Sequence, residues 1–232
     1  LVGKKRQKVN LLKNSHEFAV WASQEVVCGI DEVGRGCLAG PLVTAAVILK
    51  PNKKSPMLKD SKVMTEQERL KAAQWILKNG WVGYGIVHHR MIDQHNIWQA
   101  TLIAMKKALV NLLAISPHKP QAILVDAMPL SLSDTSFFQI PVHHFYKGES
   151  LSISIAAASI LAKVKRDALM SSLDSIIPGY GLKRHKGYST QVHQDAVLAL
   201  KPSIIHRQSF IKKLINQSSV LPVDYEEQQT IC

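Results

Sequence analysis

An α/β fold is predicted for this 232-residue chain: a mixed sheet covered by helices, with a helical C-terminal extension. Two observations predict it. Short apolar runs come first as a hairpin and then alternate with longer segments of helical spacing, and beyond Ser152 only helical patterns follow. The length suits one domain with an appendage, and 46% hydrophobic residues supply the apolar surface for a core. No internal repeat divides the chain, and no long Pro/Gly/Ser linker does.

The first twenty or so residues are basic and polar, with Leu11, Leu12, Phe18 and Trp21 at helical spacing, and read as an entry helix or an arm. Val26 to Ile30 is a short apolar run that ends on Asp31. After the glycine-rich Gly34 to Gly40 comes Leu42 to Leu49, rich in Val and Ile and closed by Lys50-Pro51-Asn52, so the two runs form a hairpin. Thr65 with Glu68 three residues on is a capping box. The helix it opens carries Leu70, Ala73, Ile76 and Leu77 on its apolar face and stops at Asn79-Gly80.

Trp81 to Val87 is the third strand. Asp93 is placed to cap a second helix, whose Ile97, Ala100, Ile103, Ala104, Leu109 and Leu112 run toward Pro117. Ala122 to Val125 is a short buried strand delivering Asp126 at its end. Ser131 to Ser136 is a turn-rich loop, and Phe138 to Tyr146 a further extended run. The alanine-rich stretch from Ser152 to about Leu173 is helical, as is Thr190 to Leu200 before Pro202. Beyond Gln217 the polar tail is expected to be loose. The expected organisation is a basic arm or helix over 1–22, a main domain with its helical part over 23–215, and a tail over 216–232.

Composition narrows the function. No apolar run approaches the roughly 20 residues that span a bilayer. The basic start (Lys4, Lys5, Arg6, Lys8, Lys13) lacks the apolar core of a secretory signal. The three cysteines, Cys28, Cys37 and Cys232, form no C-x-x-C pair or zinc cluster, which suits a reduced, cytoplasmic compartment. A formal net charge of +12 favours polyanions, and nucleic acid becomes the leading class of partner; a basic protein that binds none is the alternative.

Asp31-Glu32 sits where a buried strand meets Gly34-Arg35-Gly36, and adjacent carboxylates there are unfavourable unless something compensates them. Alternation along the strand sends one to the core side, so the other reaches a common site only by local bending. A solvated Asp-Glu turn is the bland alternative. Against it, Asp126 also ends an apolar strand and Glu149 follows another extended run, so several strand ends can present carboxylates at one sheet edge. Oxygen donors without Cys or clustered His select Mg²⁺ or Mn²⁺ over zinc, and such a site suits phosphoryl transfer. The Gly34-Arg35-Gly36 turn offers amides and a guanidinium to a phosphate or a sugar hydroxyl. It is no Walker loop, since no Gly-Lys-Ser/Thr follows.

Gly29-Ile30-Asp31-Glu32-Val33-Gly34-Arg35-Gly36, followed by Leu38-Ala39-Gly40-Pro41-Leu42, resembles the signature of the ribonuclease HII family. Further motifs of that family follow in order: Asp60-Ser61-Lys62, Val125-Asp126-Ala127, Lys147-Gly148-Glu149, Ala156 to Val164 with Arg166-Asp167, His185-Lys186-Gly187-Tyr188, and His206 to Phe210. The resemblance spans roughly residues 26 to 210. It implies a ribonuclease H-like five-stranded sheet and an endonuclease that cuts the RNA strand of RNA/DNA hybrids and the 5′ side of ribonucleotides in duplex DNA. Two-metal-ion hydrolysis leaving 3′-hydroxyl and 5′-phosphate ends is implied with it.

By the same resemblance Asp31, Glu32 and Asp126 are metal ligands, and Glu149 stands where the family usually has aspartate. Gly34, Arg35 and Gly36 read the ribose 2′-hydroxyl, the group that tells RNA from DNA, and Tyr188 stacks on the neighbouring sugar. The expected assembly is a monomer. Another nuclease of the same fold, such as a junction resolvase, and a non-catalytic hybrid-binding module are the rivals.

Other residues have plainer readings. Lys62 neutralises a phosphate or caps the region that follows it. Lys163 and Asp167, four apart on a helix, read as an exposed ion pair. Ala156 to Ser159 let their helix pack closely on the sheet. The adjacent pairs His88-His89 and His143-His144 are not expected to share a metal. The stretch from Lys183 to Lys213, with seven basic residues against Asp195, reads as a phosphate-backbone groove or a solvated face.

Overall fold

The computed structural model describes residues 13–217. In chain order its elements are α1 (Ser15–Trp21), β1 (Val27–Val33), β2 (Leu42–Leu49), a 3-10 turn (Ser61–Val63), α2 (Glu66–Asn79), β3 (Gly80–Val87), α3 (His89–Ile115), β4 (Ala122–Asp126), β5 (Val142–Phe145), α4 (Gly148–Leu151), α5 (Ile153–Ile176), α6 (Leu182–His185), α7 (Gln191–Leu200) and α8 (Gln208–Gln217). The strands form one five-stranded sheet in the order β3-β2-β1-β4-β5. The first three are antiparallel, while β4 and β5 run parallel to β1. The expected mixed α/β sheet with a helical C-terminal part is what forms. Leu11, Leu12 and the tail beyond Gln217 lie outside the described residues.

Both faces of the sheet are covered, which explains why β2 reads as an unbroken apolar run. Its Ala45, Val47 and Leu49 face α2 and α5, while Ala46 and Ile48 face α3. Helix α5 comes closest. A methyl group on Gly29 would stand 2.1 Å from the Ser154 carbonyl carbon, so helix and strand meet backbone to backbone. The Ala156 to Ala158 stretch keeps that approach open, as its small residues suggest.

Several local expectations change in the folded chain. Strand β1 does not stop at Asp31: Asp31, Glu32 and Val33 still pair with Ala45, Thr44 and Val43 of β2, so both acids lie within the ladder. The capping box of α2 forms with Thr65 and Glu68. Its buried face, however, is Ala72, Ala73 and Ile76, and Leu70 and Leu77 are exposed. The short alanines lie in the core shared with α5, which turns the two leucines outward. Strand β5 is shorter than expected, and Phe138 belongs to the turns before it.

Asp93 does not begin a helix. Helix α3 starts four residues earlier, and Asn96 (φ 61°) breaks it. There the Asn96 side chain accepts from the amides of Trp98 and Gln99, at 2.9 and 3.1 Å, and so caps the second limb. The Asp93 carboxylate instead accepts from the amides of Gln208 and Ser209, at 2.9 and 3.0 Å, and anchors α8.

The C-terminal helices close over a separate core of Leu38, Met170, Tyr180, Leu182, Val197 and Ile211. Three histidines, His185, His193 and His206, are buried with it. Burial, and His193 beside it, push His206 down to about 4 from the ordinary 6.5. The unfolded chain therefore takes up a proton at this position that the folded chain refuses. The group withdraws no stability above pH 6.5, and withdraws progressively more as the pH falls toward 4. Urea melts between pH 7 and 4 are expected to show stability falling with acid. His206→Gln, which cannot titrate, is expected to reduce that fall by about 3 kcal/mol over the whole interval. An unchanged slope in the variant rules this out.

Candidate active site

The carboxylates come together because β1 and β4 are parallel neighbours in register. Ile30 pairs with Val125, so the next residues, Asp31 and Asp126, reach the same sheet edge. Glu149 arrives from α4, whose first amide, that of Gly148, donates to Asp126 Oδ1 at 2.7 Å. Asp31, Asp126 and Glu149 each offer an oxygen within 4.8 Å of the others. Glu32 stands outside that cluster. It lines the same cleft, but its Oε1 meets the Arg35 guanidinium at 3.4 Å. Its second oxygen is buried without a hydrogen-bond partner.

The electrostatics are those of a site short of positive charge. Burial, followed by the negative charge of Glu32, Asp126 and Glu149, raises Asp31 well above the usual carboxylate range. Burial likewise pushes Glu32 up to about 7, against the opposing pull of Arg35. Asp126 is raised by burial too, and the Gly148 amide opposes it. Glu149 is buried and fully engaged. Its Oε2 accepts from the Ser61 amide and hydroxyl at 3.2 and 3.3 Å, and its Oε1 pairs with Lys62 Nζ at 2.7 Å. The Ser61 hydroxyl also lies 2.8 Å from that of Ser159 on α5, which bonds to Asp31.

A cleft of about 520 Å³ opens over this cluster. Asp31, Glu32, Gly34, Arg35, Gly36, Lys62, Asp126 and Tyr188 all line it, together with Ser61, Arg69, Ser159 and Lys163. The carboxylates, the turn and the tyrosine singled out in the sequence thus meet at one place, with Glu149 joined to it through the carboxylate cluster. Lys62 is neither a helix cap nor free: its ammonium sits on Glu149, which raises the lysine above its ordinary range. Lys163 and Asp167 pair at 2.9 Å but are largely buried, and the Lys163 ammonium lies 5.5 Å from the Tyr188 ring centre. Neither histidine pair contributes to a metal-ligand group among the described residues.

Two buried arginines shape the cleft, and neither role was read from the sequence. Arg166, within the motif but unassigned, donates to the carbonyls of Pro41, Lys186 and Ala39. Arg207, counted with the basic C-terminal face, is fully buried instead and donates to the carbonyls of Gly34, Arg35 and Gly40. It therefore contributes nothing to an exposed groove; it holds the Gly34 to Gly36 turn from beneath. Gly34 has φ 97°, and a side chain there would meet Arg166 Nε at 2.2 Å, so only glycine fits. For Arg166 a signal existed: it lies four residues from both Ala162 and Met170, a charge inside an apolar helical stripe. Ser61 and Arg207 lie in the motifs Asp60-Ser61-Lys62 and His206 to Phe210, but no local pattern pointed to the role of either.

A covered mixed sheet of this order, with a buried carboxylate cluster at its edge and a cleft above it that also carries Arg35, Lys62, Arg69 and Lys163, fits a nuclease of the ribonuclease H-like class. The sequence profile described as Ribonuclease HII matches residues 28–213. Among curated proteins, Ribonuclease HII of Levilactobacillus brevis is 44% identical over 196 residues, covering 84% of this chain and 72% of its own. The ribonuclease HII solved with PCNA from Archaeoglobus fulgidus superposes with a TM-score of 0.69 at 23% identity, covering 84% of this chain and 98% of its own. Bst-RNase HIII in complex with Mn²⁺ gives a TM-score of 0.65 at 23% identity, covering 84% of this chain and 71% of its own. The chain belongs to the ribonuclease HII family, and it is an endonuclease of the ribonuclease H type.

Arg207→Met, which removes the guanidinium fork and leaves three carbonyls without their donor, is expected to destabilise the fold by about 1–3 kcal/mol for each carbonyl left unsatisfied. Arg207→Lys keeps the charge but not the fork, and is expected to fold while losing about tenfold in cleavage. Melting temperature and initial rate measured together check this; full activity in the lysine variant contradicts a geometric role.

Proposed function

We propose that this cleft hydrolyses the phosphodiester on the 5′ side of a ribonucleotide, in RNA/DNA hybrids and in ribonucleotide-containing duplex DNA. The observation that carries the reading is the cluster of Asp31, Asp126 and Glu149 oxygens beside the Gly34 to Gly36 turn and Tyr188. Its donors suit a hard divalent cation, Mg²⁺ or Mn²⁺. All are carboxylates, the burial of Asp31 and Glu32 is only partly compensated, and a Glu32 oxygen is left without a partner. Asp31, Glu32, Asp126 and Glu149 are the residues to hold it. When bound, divalent ions stabilise the charge that builds on the phosphate and lower the pKa of the attacking water.

The chain's own groups do the rest. The Gly34 and Gly36 backbone and the Arg35 guanidinium receive the ribose 2′-hydroxyl, while Tyr188, 38% exposed beside them, packs on the next sugar. Arg166 and Arg207 hold turn and tyrosine segment at a set distance through backbone carbonyls. The Ser61 amide and hydroxyl fix Glu149, and the Lys62 ammonium pairs with it at the mouth of the cleft. Water attacks phosphorus, the 3′-oxygen leaves with a proton, and the products carry a 3′-hydroxyl and a 5′-phosphate.

The same reading makes residues 23–215 the catalytic unit together with α1, whose Glu17 and Trp21 are buried against it. A monomer remains the expected assembly, and the free thiols of Cys28 and Cys37 suit the cytoplasm. No described helix is long and apolar enough to cross a membrane.

A duplex with one embedded ribonucleotide is expected to be cut in Mg²⁺ or Mn²⁺, and an all-DNA duplex or junction is not; equal cutting of both removes the ribose-reading role. Asp31→Asn and Asp126→Asn are each expected to lose about a thousandfold in rate while hybrid binding persists, because phosphate contacts come from other residues. Near-normal turnover by either variant defeats the ligand assignment.

Glu149→Gln is expected to lose most activity, and Glu149→Asp to keep a substantial part. The shorter side chain still carries the charge, and a cation that retains water can bridge the added distance. Unchanged rate and metal dependence in Glu149→Ala removes Glu149 from the ligand set.

A further inference from the structure

The three buried histidines of the C-terminal extension stand apart from the carboxylates, and the mechanism above makes no use of them. Their hydrogen bonds nevertheless assign a tautomer to each ring. The Ser203 amide donates to His206 Nδ1 at 3.0 Å, with the Ser203 hydroxyl 2.8 Å from the same nitrogen. That nitrogen is therefore an acceptor, and the neutral His206 ring carries its proton on Nε2. His206 Nε2 lies 3.1 Å from His193 Nε2, which must then accept. The His193 proton is left on Nδ1, 2.9 Å from the Tyr188 carbonyl oxygen, to which it donates.

Around this line the fit is close. His185 stacks on His193 with ring centres 4.2 Å apart. It accepts the Gly187 amide on Nδ1 at 3.1 Å, and its Nε2 meets the Tyr180 carbonyl at 2.7 Å.

We propose that His193 and His206 are positioning residues for the reaction. Ser203, His206 and His193 form a one-way relay of hydrogen bonds that ends on the Tyr188 carbonyl and fixes the backbone carrying the Tyr188 ring into the cleft. The proposal rests on the reading of Tyr188 as a sugar contact given above. The segment needs such support because its backbone is unusual: Lys186 (φ 53°) and Gly187 (φ 80°) both lie in the left-handed region immediately before Tyr188.

The relay is also tied to the ribose-reading turn. The Leu38 amide donates to the Gly187 carbonyl at 2.9 Å, and Cys37 and Tyr188 form a β-bridge. A displaced Tyr188 backbone therefore moves the ring against the Gly34 to Gly36 turn. Both rings act in the neutral state, since a second proton would set Nε2–H against Nε2–H, or Nδ1–H against the Ser203 amide. Burial favours that state, lowering both histidines from their ordinary value.

The test measures kcat and KM of the full chain in Mg²⁺ on a duplex with one embedded ribonucleotide, with a thermal melt of each variant. His206→Phe is expected to lower kcat/KM about tenfold, the effect of one buried hydrogen bond lost from the positioned state. His206→Gln is expected to recover most of it, because its amide oxygen can accept from Ser203 while its amide N–H donates to His193. In a Tyr188→Ala background His206→Phe is expected to change the rate less than about twofold, since the residue it positions is gone.

An unchanged kcat/KM in His206→Phe, or the same loss with and without Tyr188, overturns the proposal in favour of a purely structural cluster. If Tyr188→Ala alone cleaves at the normal rate, the sugar-contact reading has failed, and the relay's link to catalysis falls with it. If His206→Phe does not fold, proton-nitrogen correlation spectra of the wild-type imidazoles at neutral pH decide. Nε2–H on His206 with Nδ1–H on His193 supports the relay, and any other pair of tautomers overturns it.

Discussion

The close approach of α5 to β1 is the constraint on which the rest depends. Because Gly29 has no side chain, the helix backbone at Ser154 lies directly against the strand. That contact sets the height of everything α5 carries along its length. Ser159 comes level with Asp31 and Ser61, and one and two turns on, Lys163 and Arg166 come level with Tyr188. The N-terminus of the same helix is tied down by residues from outside it. The Asn14 side chain accepts the Ile153 amide at 2.8 Å, and Glu17, fully buried, accepts the Ser154 amide at 3.1 Å. A shift of this helix would move the carboxylate side and the tyrosine side of the cleft together.

Charge is distributed in an unusual way around that frame. The sheet edge holds carboxylates whose burial is not compensated by enough cations, while Arg166 and Arg207 are buried with backbone carbonyls instead of carboxylates as partners. Breaking either arrangement by removing one partner is costly, since the group left behind stays desolvated. Function explains both. Acids short of positive charge are poised for a hard cation, and guanidiniums satisfied by carbonyls give a turn a fixed shape without drawing the acids away from their site. Arg35, the guanidinium that does reach an acid, does so at only 3.4 Å and remains partly exposed toward the cleft.

Much of this was legible in the sequence because it is written in local patterns. Leu42 to Leu49, Trp81 to Val87 and Ala122 to Asp126 are strands within a residue of where alternation and turn signals put them, and Thr65 with Glu68 closes the capping box that its spacing announced. The acids at Asp31 and Asp126 stood out because a charge at the end of an apolar strand needs a reason. The ordered motifs then supplied the family, which no single pattern could.

Only the tertiary structure decided which partner each polar group would meet. A side chain's helical or strand period says which way it points, but not what stands opposite. Asp93 therefore caps α8, more than a hundred residues away, and not the helix it seemed to begin. Leu70 and Leu77 stay exposed while Ala72, Ala73 and Ile76 enter the core shared with α5. Lys62 lands on Glu149, Glu32 stands apart from the other three acids, and Arg207 goes beneath the turn and not to the surface. The periodicity and the chemical types were determined by the chain itself. Register between β1 and β4, and the depth at which α5 rests on Gly29, turned those types into a site, since distances between segments far apart in sequence are set by packing alone.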